Sequence, residues 1–379
     1  MKNRAGIYVH IPFCRSKCAY CAFVSHPCRR PPAYYPAALR LQAEQWAANP
    51  WVQECRFATL FIGGGTPTIY GAEVLAELVG FLKTRFVLAP EAEITVESNP
   101  NTLTPAALKT LRRAGVNRLS IGVQSFSDRL LDGVGRSHSG AEALQAIKWS
   151  RAAGFDNLNL DLMYGLPGQG EADFSASLEQ ALALTPEHLA LYQLTLEEDT
   201  PLAKAVATGR VTLPDEDQAA DQEEAARALL SGHGYGQYEI ANYCRPGREC
   251  RHNLNYWHNG SYLGLGAAAV SCLDGLRISN VGGAGHYLRL LRAGQPPFAE
   301  AEGLSREAAF RETVVMGLRL RAGVVIAELE QRFALTPQAC YGTILDELAQ
   351  QGLIEFDRHH LRLSERGLRL ANQVLSRLV

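Results

Sequence analysis

Three cysteines, Cys14, Cys18 and Cys21, stand in one short run with gaps of three and two residues between them. They follow the apolar segment Ile7-Tyr8-Val9 and the stretch His10-Ile11-Pro12-Phe13. Such spacing folds three thiolates inward around one point, and three thiolates suit an iron–sulfur cluster. A [4Fe–4S] cube takes four ligands, so a triad leaves one iron open to a small molecule. Two blander readings compete. Structural zinc closes four ligands and favours paired knuckles, and neither is local here. A disulfide needs an oxidising compartment. Met1-Lys2-Asn3-Arg4 leads into no apolar stretch of secretory length, so the expectation is a reducing cytoplasm.

A second set of polar residues falls at the ends of apolar segments. Gly63-Gly64-Gly65-Thr66-Pro67-Thr68 lacks β-carbons where a ligand's backbone contacts would lie, and it lacks the Lys of a P-loop. Alone it is balanced between a tight turn and a ligand contact. Glu97, Gln124 and Asp161 end or lie in later apolar segments, and Arg136 follows in a connection. A carboxylate there accepts from ribose hydroxyls or an ammonium, and Arg pairs with a carboxylate. Each also has a plainer role, as a helix cap or a solvated charge.

The elements that would position these residues alternate. Strands are expected at Ile7 to His10, Thr59 to Ile62, Ile94 to Glu97, Leu119 to Val123, Leu158 to Met163 and Leu189 to Leu194. Amphipathic helices are expected at Ala37 to Ala48, Ala72 to Thr84, Pro105 to Ala114, Gly140 to Ala153 and Ala172 to Leu184. Six β-α units make an α/β protein with a parallel sheet curled into a partial (βα)6 barrel. Active groups of such barrels gather at the carboxyl ends of the strands. After residue 300, helices at Glu307 to Leu320 and Gln338 to Gln350, a hairpin at Leu353 to Phe356 and Leu361 to Leu363, and a helix from Ser364 give a small winged-helix-like domain. The expected division is 1–235 for the barrel, 236–300 for a barrel-closing segment and 301–379 for the C-terminal domain.

Composition narrows the class. Hydrophobic residues make up 47% and charged residues 20% of 379 residues, which is ordinary for a globular chain. A net charge of −2 offers no global basic field for nucleic acid or anionic membranes. Arg358, Arg362, Arg366 and Arg369 form only a small basic patch against Asp346, Glu347, Glu355 and Glu365. That favours a docking or lid module over a nucleic-acid partner. No apolar run reaches the ~18 residues of a membrane span.

The Cys-x3-Cys-x2-Cys spacing, with the aromatic Tyr20 before the third cysteine, resembles the signature of the radical S-adenosylmethionine (SAM) superfamily. The resemblance implies a [4Fe–4S] cluster on Cys14, Cys18 and Cys21, with SAM chelating the open iron and being cleaved to methionine and a 5′-deoxyadenosyl radical. The frames Tyr8 to Cys14, Gly63 to Thr68, Gly122 to Phe126 and Asp161 to Gly168 resemble the oxygen-independent coproporphyrinogen III oxidase (HemN) group, from residue 5 to the C-terminus. Carried over by match, the SAM contacts are Tyr8, Gly64, Gly65, Thr66, Glu97, Gln124, Arg136 and Asp161, with Thr195 and Val270 placed by alignment spacing.

Two departures separate the chain from the oxidases. They carry a fourth cysteine where Phe23 stands, and an extension ahead of the cluster. The subgroup with Phe there is HemW, whose members are regarded as heme chaperones. His252-Asn253-Leu254-Asn255-Tyr256-Trp257 matches its His-Asn-x-x-Tyr-Trp motif. The resemblance makes His252 the expected axial iron ligand, with Tyr256 and Trp257 flanking the macrocycle; the competing reading is a hydrogen-bonded run closing the barrel. Many HemW-like chains have His where Val270 stands. Cys28, Cys55, Cys272 and Cys340 read as small packing residues, Cys244 and Cys250 as packing ahead of an aid to heme or a redox switch, His258 as an alternative ligand, and His359-His360 as surface.

The expectation is therefore a cytoplasmic heme chaperone that carries a [4Fe–4S] cluster and SAM and passes heme to apo-cytochromes or other respiratory acceptors. A heme donor or reductant is a further expected partner, and the family adds a homodimer and peripheral membrane contact. The alternative from a different class is a radical enzyme decarboxylating the propionates of coproporphyrinogen III, against which the missing fourth cysteine counts.

Overall fold

The computed structural model describes residues 4–379; Met1 to Asn3, on which the expectation of no secretory signal partly rests, lie outside the described residues. Six strands carry the architecture: β1 Arg4–Ile11, β2 Arg56–Gly64, β3 Leu88–Ser98, β4 Arg118–Gln124, β5 Leu158–Tyr164 and β6 His188–Gln193. Each pairs in parallel with the next, in chain order. The expected strands are all present; the first five are longer by one or more residues, and the sixth keeps its length but starts and ends one residue earlier. The expected helices appear at Tyr35–Ala47, Ala72–Arg85, Pro105–Ala114, Gly140–Ala152 and Glu171–Ala183.

Period-two alternation explains the curl. On one face Ile7, Val9, Leu60, Ile62, Ile94, Val96, Leu119, Ile121, Leu158, Leu160, Leu189 and Leu191 are buried in a single apolar core with the helices. The other face carries Thr59, Glu93, Thr95, Glu97, Arg118, Ser120, Asn159, Asp161 and His188, a set that cannot pack against helices. A sheet with one apolar and one polar face keeps the polar one inside a barrel, where those groups meet each other and a ligand. Register sets the inner neighbours: Thr95 beside Arg118, Glu97 beside Ser120, Ser120 beside Asn159 and Asn159 beside His188.

The stretch 236–300 does not close the barrel by strand pairing. Tyr262–Leu265 adds a further parallel strand on the free edge of β1, while Asn242–Cys244 adds an antiparallel one on β6. From these, hairpins extend the sheet to twelve strands among the described residues, with Phe298–Gly303 and Gly236–Gln237 at the two unjoined edges. Between the added strands, the helix Arg251–Trp257 lies inside the barrel against β1 and β2.

Beyond Gly303 the chain builds a second core from Phe310, Val314, Leu329, Leu345, Leu361 and Val374. It contains the helix Arg306–Gly317 and a three-stranded antiparallel sheet ordered Val324–Val325, His360–Leu363, Ile354–Phe356. Several features differ from the sequence expectation: the strand Val324–Val325 is added to the hairpin, and the last helix divides into Glu365–Arg369 and Ala371–Ser376. The helix Ile326–Phe333 intervenes, and the expected helix Gln338 to Gln350 breaks at Gly342, whose φ of 53° and ψ of −128° no helix accommodates. The resulting pieces are Pro337–Tyr341 and Thr343–Gln350.

Candidate functional site

The cysteine loop leaves β1 and is held at several points by its backbone. Phe13–Cys14 pairs in parallel with His26–Pro27, and the Cys28 amide donates to the Cys14 carbonyl at 2.8 Å. At its far side the Ala19 amide donates to Val134 O at 3.0 Å, and Ala19 O accepts from the Leu202 amide at 2.9 Å. Ala19 and Tyr20 rest on the small apolar cluster of Leu130, Val134, Met163, Leu166, Leu194 and Leu202. This seats Cys14, Cys18 and Cys21 on the wall of one cavity of about 570 Å³, within the usual range for ligand sites. Among the described residues no three His, Cys, Asp or Glu side chains converge closely enough to ligate one ion.

The same cavity is lined by Tyr20, Gly64, Gly65, Thr66, Glu97, Gln124, Arg136, Asp161 and Thr195. Of the expected SAM contacts, Tyr8 and Val270 do not line it. Tyr8 lies deeper, donating to or accepting from His10 Nδ1 at 2.9 Å, and Val270 stands on the hairpin strand Val270–Leu273 opposite Ser279.

Close backbone approach accounts for the glycines. Gly64 has φ +110°, and a Cβ there would sit 2.4 Å from the His10 ring; one on Gly65 would sit 2.5 Å from Phe13 O. The freed Gly64 amide donates to Glu97 Oε2 at 3.0 Å. Gln124 departs from β4 with φ 65°, a left-handed conformation that only over-determined surroundings hold in a non-glycine residue. A bulge between Gly122 and Gln124 accompanies it.

Charge is placed to meet thiolates and a cation. Arg136 Nη1 donates to Cys18 Sγ at 3.5 Å, Thr66 Oγ1 donates to Cys14 Sγ at 3.5 Å, and Arg136 Nη2 donates to Asn99 Oδ1 at 2.8 Å and to Gly122 O. Burial pushes the Cys14 thiol up, an effect that the Thr66 and Ser25 hydroxyls partly offset. Glu97 and Asp161 are enclosed by protein yet face the cavity. Burial, then the neighbouring Asp161, raises Glu97 to about 7. Burial raises Asp161 to about 6, against the hydrogen bond from Asn159 and the charges of Arg118 and Arg136. Two carboxyls held near neutrality accept a cationic ligand readily, because its charge replaces the missing solvation.

The motif helix is placed differently. His252 is 1% exposed. Its Nδ1 meets Thr59 Oγ1 at 2.7 Å and its Nε2 meets Tyr256 OH at 3.1 Å. The ring stacks on Phe61 at 5.1 Å between centroids, and burial lowers its pKa to about 3. Glu93 holds the helix start, accepting from the Arg251 and His252 amides at 3.2 Å and from Cys250 Sγ at 3.6 Å. Tyr256 packs edge-on to Tyr262, and Trp257 lies under Arg319 of the C-terminal region at 4.7 Å. None of His252, Tyr256 and Trp257 lines the cavity. In this conformation both ring nitrogens of His252 are bonded internally and the ring is walled in by Tyr8, Phe61 and Tyr256, so service as an axial ligand would require the ring to exchange these partners for iron. Cys244 and Cys250 are likewise buried as free thiols, and His258 is exposed.

Sequence reasoning missed several lining residues: Asn99, Arg118, Ser120, Asn159, His188 and Asn242. A signal existed. Arg118, Ser120, Asn159, Asp161 and His188 alternate with aliphatic residues at strand period, which marks a polar inner wall.

Comparison with known proteins identifies the family and the fold. The model of the radical SAM superfamily matches residues 8–181, and that of the HemN C-terminal domain matches residues 304–370. The chain is 36% identical to the heme chaperone HemW of Bacillus subtilis, over 97% of each chain. It is also 36% identical to the HemW of Mycobacterium tuberculosis, over 99% of this chain and 94% of that one. Over 70% of its length it is 41% identical to the HemW of Escherichia coli, of which it covers 69%. Among solved structures, the coproporphyrinogen III oxidase HemN of E. coli superposes with a TM-score of 0.86 at 24% identity, covering 100% of this chain and 90% of that one, which establishes the shared fold.

Proposed function

The chain belongs to the HemW family of heme chaperones within the radical SAM superfamily, and on that premise we propose that it binds heme and delivers it to apo-proteins of the respiratory chain, with a [4Fe–4S] cluster and SAM held at the barrel mouth. The observation that carries the cofactor part is the single cavity onto which Cys14, Cys18 and Cys21 open together with Gly64, Gly65, Thr66, Glu97, Gln124, Arg136, Asp161 and Thr195. The donors fit the groups: thiols that already receive hydrogen bonds from Arg136 and Thr66, and a glycine cradle that any Cβ would fill.

When bound, the cluster supplies an electron and SAM supplies the bond that it cleaves. The chain's own residues do the rest. Cys14, Cys18 and Cys21 would hold the cluster through their thiolates. The guanidinium of Arg136 and the Thr66 hydroxyl offset the thiolate charge. Gly64 and Gly65 let the ligand reach the backbone, and Glu97 and Asp161 accept from its hydroxyl or ammonium groups. Tyr20, packed on the cluster of Leu130 and Val134, shields the thiols from water. Phe23 stands at the cavity lip, 72% exposed, where the oxidases carry a further cysteine; it offers an apolar surface in place of a thiol.

The test is anaerobic reconstitution with iron and sulfide, followed by iron and sulfide analysis, SAM equilibrium dialysis and heme titration by absorption. The expected result is about four irons per chain, saturable SAM binding that depends on the cluster, and saturable heme binding. Conversion of coproporphyrinogen III to protoporphyrinogen by the reconstituted protein would overturn the chaperone reading.

A further inference from the structure

The cavity does not end at the residues that would meet a cofactor. It continues down the barrel axis to Arg118, His188, Asn242 and Asn253. Arg118 opens β4 and Gln124 closes it, so the two are separated by roughly 20 Å of extended strand at ~3.3 Å per residue. Most polar groups at this depth satisfy one another. Asn159 Nδ2 donates to Ser120 Oγ at 2.8 Å and to Asp161 Oδ1 at 2.6 Å, His188 Nδ1 meets Asn159 Oδ1 at 2.6 Å, and His188 Nε2 meets Tyr238 OH at 2.9 Å.

Three inner groups are left over. Arg118 Nε, Thr95 Oγ1 and Asn242 Oδ1 are buried without a hydrogen-bond partner. Arg118 is 2% exposed, Thr95 stands beside it in register, and both Arg118 and Asn242 line the cavity. The guanidinium is surrounded by Glu93, Asp161, Cys250 and Tyr238, which act on its charge through space rather than by a hydrogen bond. Glu93 is occupied by the amides of Arg251 and His252, and Asp161 by Asn159. These neighbours outweigh burial and keep the guanidinium charged, so what is left unmet is its directional hydrogen bonding at Nε, which an acceptor entering the cavity would supply.

We propose that the inner end of the barrel is a second ligand subsite, in which Arg118 receives a carboxylate and Asn242 Oδ1 accepts from a donor on the same ligand. Carboxylate is the recognised chemistry, because a planar two-oxygen anion matches the guanidinium fork. Its source is either a free small organic acid or the propionate side chain of a tetrapyrrole. Only the second depends on the heme reading given above.

The experiment uses the full-length protein and three probes: free propionate, heme, and heme dimethyl ester. Propionate binding is followed by isothermal titration to the wild type, Arg118→Lys, Arg118→Met and Asn242→Asp. The expected result is saturable binding that Arg118→Met weakens about tenfold or more, Arg118→Lys by less, and Asn242→Asp also by about tenfold through the competing charge. Should Arg118→Met fail to fold, Asn242→Asp carries the same test. Saturable propionate binding that needs Arg118, with heme outbinding its ester only when Arg118 is present, assigns the subsite to a tetrapyrrole side chain. The same propionate result with heme and ester binding alike assigns it to a free acid. No saturable propionate binding by the wild type, or binding unchanged in the variants, overturns the proposal and leaves the three groups to water. Loss of heme binding with propionate binding intact would instead count against the chaperone reading alone.

Discussion

At the carboxyl ends of the strands, polar side chains face a cavity with donors and acceptors to spare; at the amino ends, the helix Arg251–Trp257 presents a histidine with both nitrogens already bonded. Both ends drew attention in the sequence for the same reason, a motif of metal-ligating residue types. The difference lies in what surrounds them. Cys14 ends a two-residue strand, Cys18 and Cys21 lie on the loop after it, and all three face open space. His252 sits on a helix whose start is fixed by Glu93 and whose end is packed under Arg319. A ligating residue type is therefore informative only with its burial and its partners. In this protein the mouth leaves its polar groups open to a cavity, and the motif helix packs between the barrel and Arg319 of the C-terminal region.

The contrast is broken or sharpened by variants at each end. The largest effect is expected from Cys14→Ala/Cys18→Ala/Cys21→Ala. It should abolish iron–sulfur absorption and SAM binding while leaving the far-UV circular dichroism native, because none of the three thiols belongs to the apolar core. His252→Ala should act in the opposite way, costing about 2–4 kcal/mol in chemical denaturation through two lost hydrogen bonds and a lost ring contact, with cluster content unchanged. Gly64→Ala places a methyl against the His10 ring and forces a left-handed alanine. It should cost about 1–3 kcal/mol of stability and weaken SAM binding.

A pH series reads the mouth alone. Glu97 and Asp161 have raised values of about 7 and about 6, so they ionise progressively as pH rises from 5.5 to 8. Affinity for a sulfonium ligand should rise over that window, and Glu97→Gln should flatten the rise. The sign for stability is the reverse: each carboxyl is harder to ionise in the folded state than in the unfolded one, so its contribution to stability is full below about pH 4, declines as pH rises to about 7 and is flat above that. The smallest effect is expected from Arg319→Ala. It removes a cation from the face of Trp257 and should cost about 0.5–1 kcal/mol, with no change at the mouth.

Much of this arrangement was legible in the sequence. The six parallel strands were readable because their apolar residues cluster between turn signals, and the cysteine spacing and triple glycine placed the mouth. What stayed hidden depended on long-range pairing. Tyr262–Leu265 reads as a short apolar run, and nothing local says that it joins β1 across some 250 residues of chain. Helix Ile326–Phe333 is short, and its single amphipathic stripe of Ile326, Leu329 and Phe333 shows only once the second core is assembled. Arg118 escaped notice because a lone arginine in a strand usually reaches solvent. Its register beside Thr95 turns it inward. The internal partners of His252 were hidden for a related reason: residue type and motif carry no information about what a ring's nitrogens meet.

The claim that the two ends have different work is tested most directly by titrating heme into anaerobically reconstituted wild type and His252→Ala, followed by absorption. The account predicts saturable binding in both, with affinities within about threefold, alongside a clear loss of folding stability in the variant. Loss of heme binding in a His252→Ala protein that keeps its native circular dichroism and its cluster would contradict it and return the imidazole to the role of iron ligand.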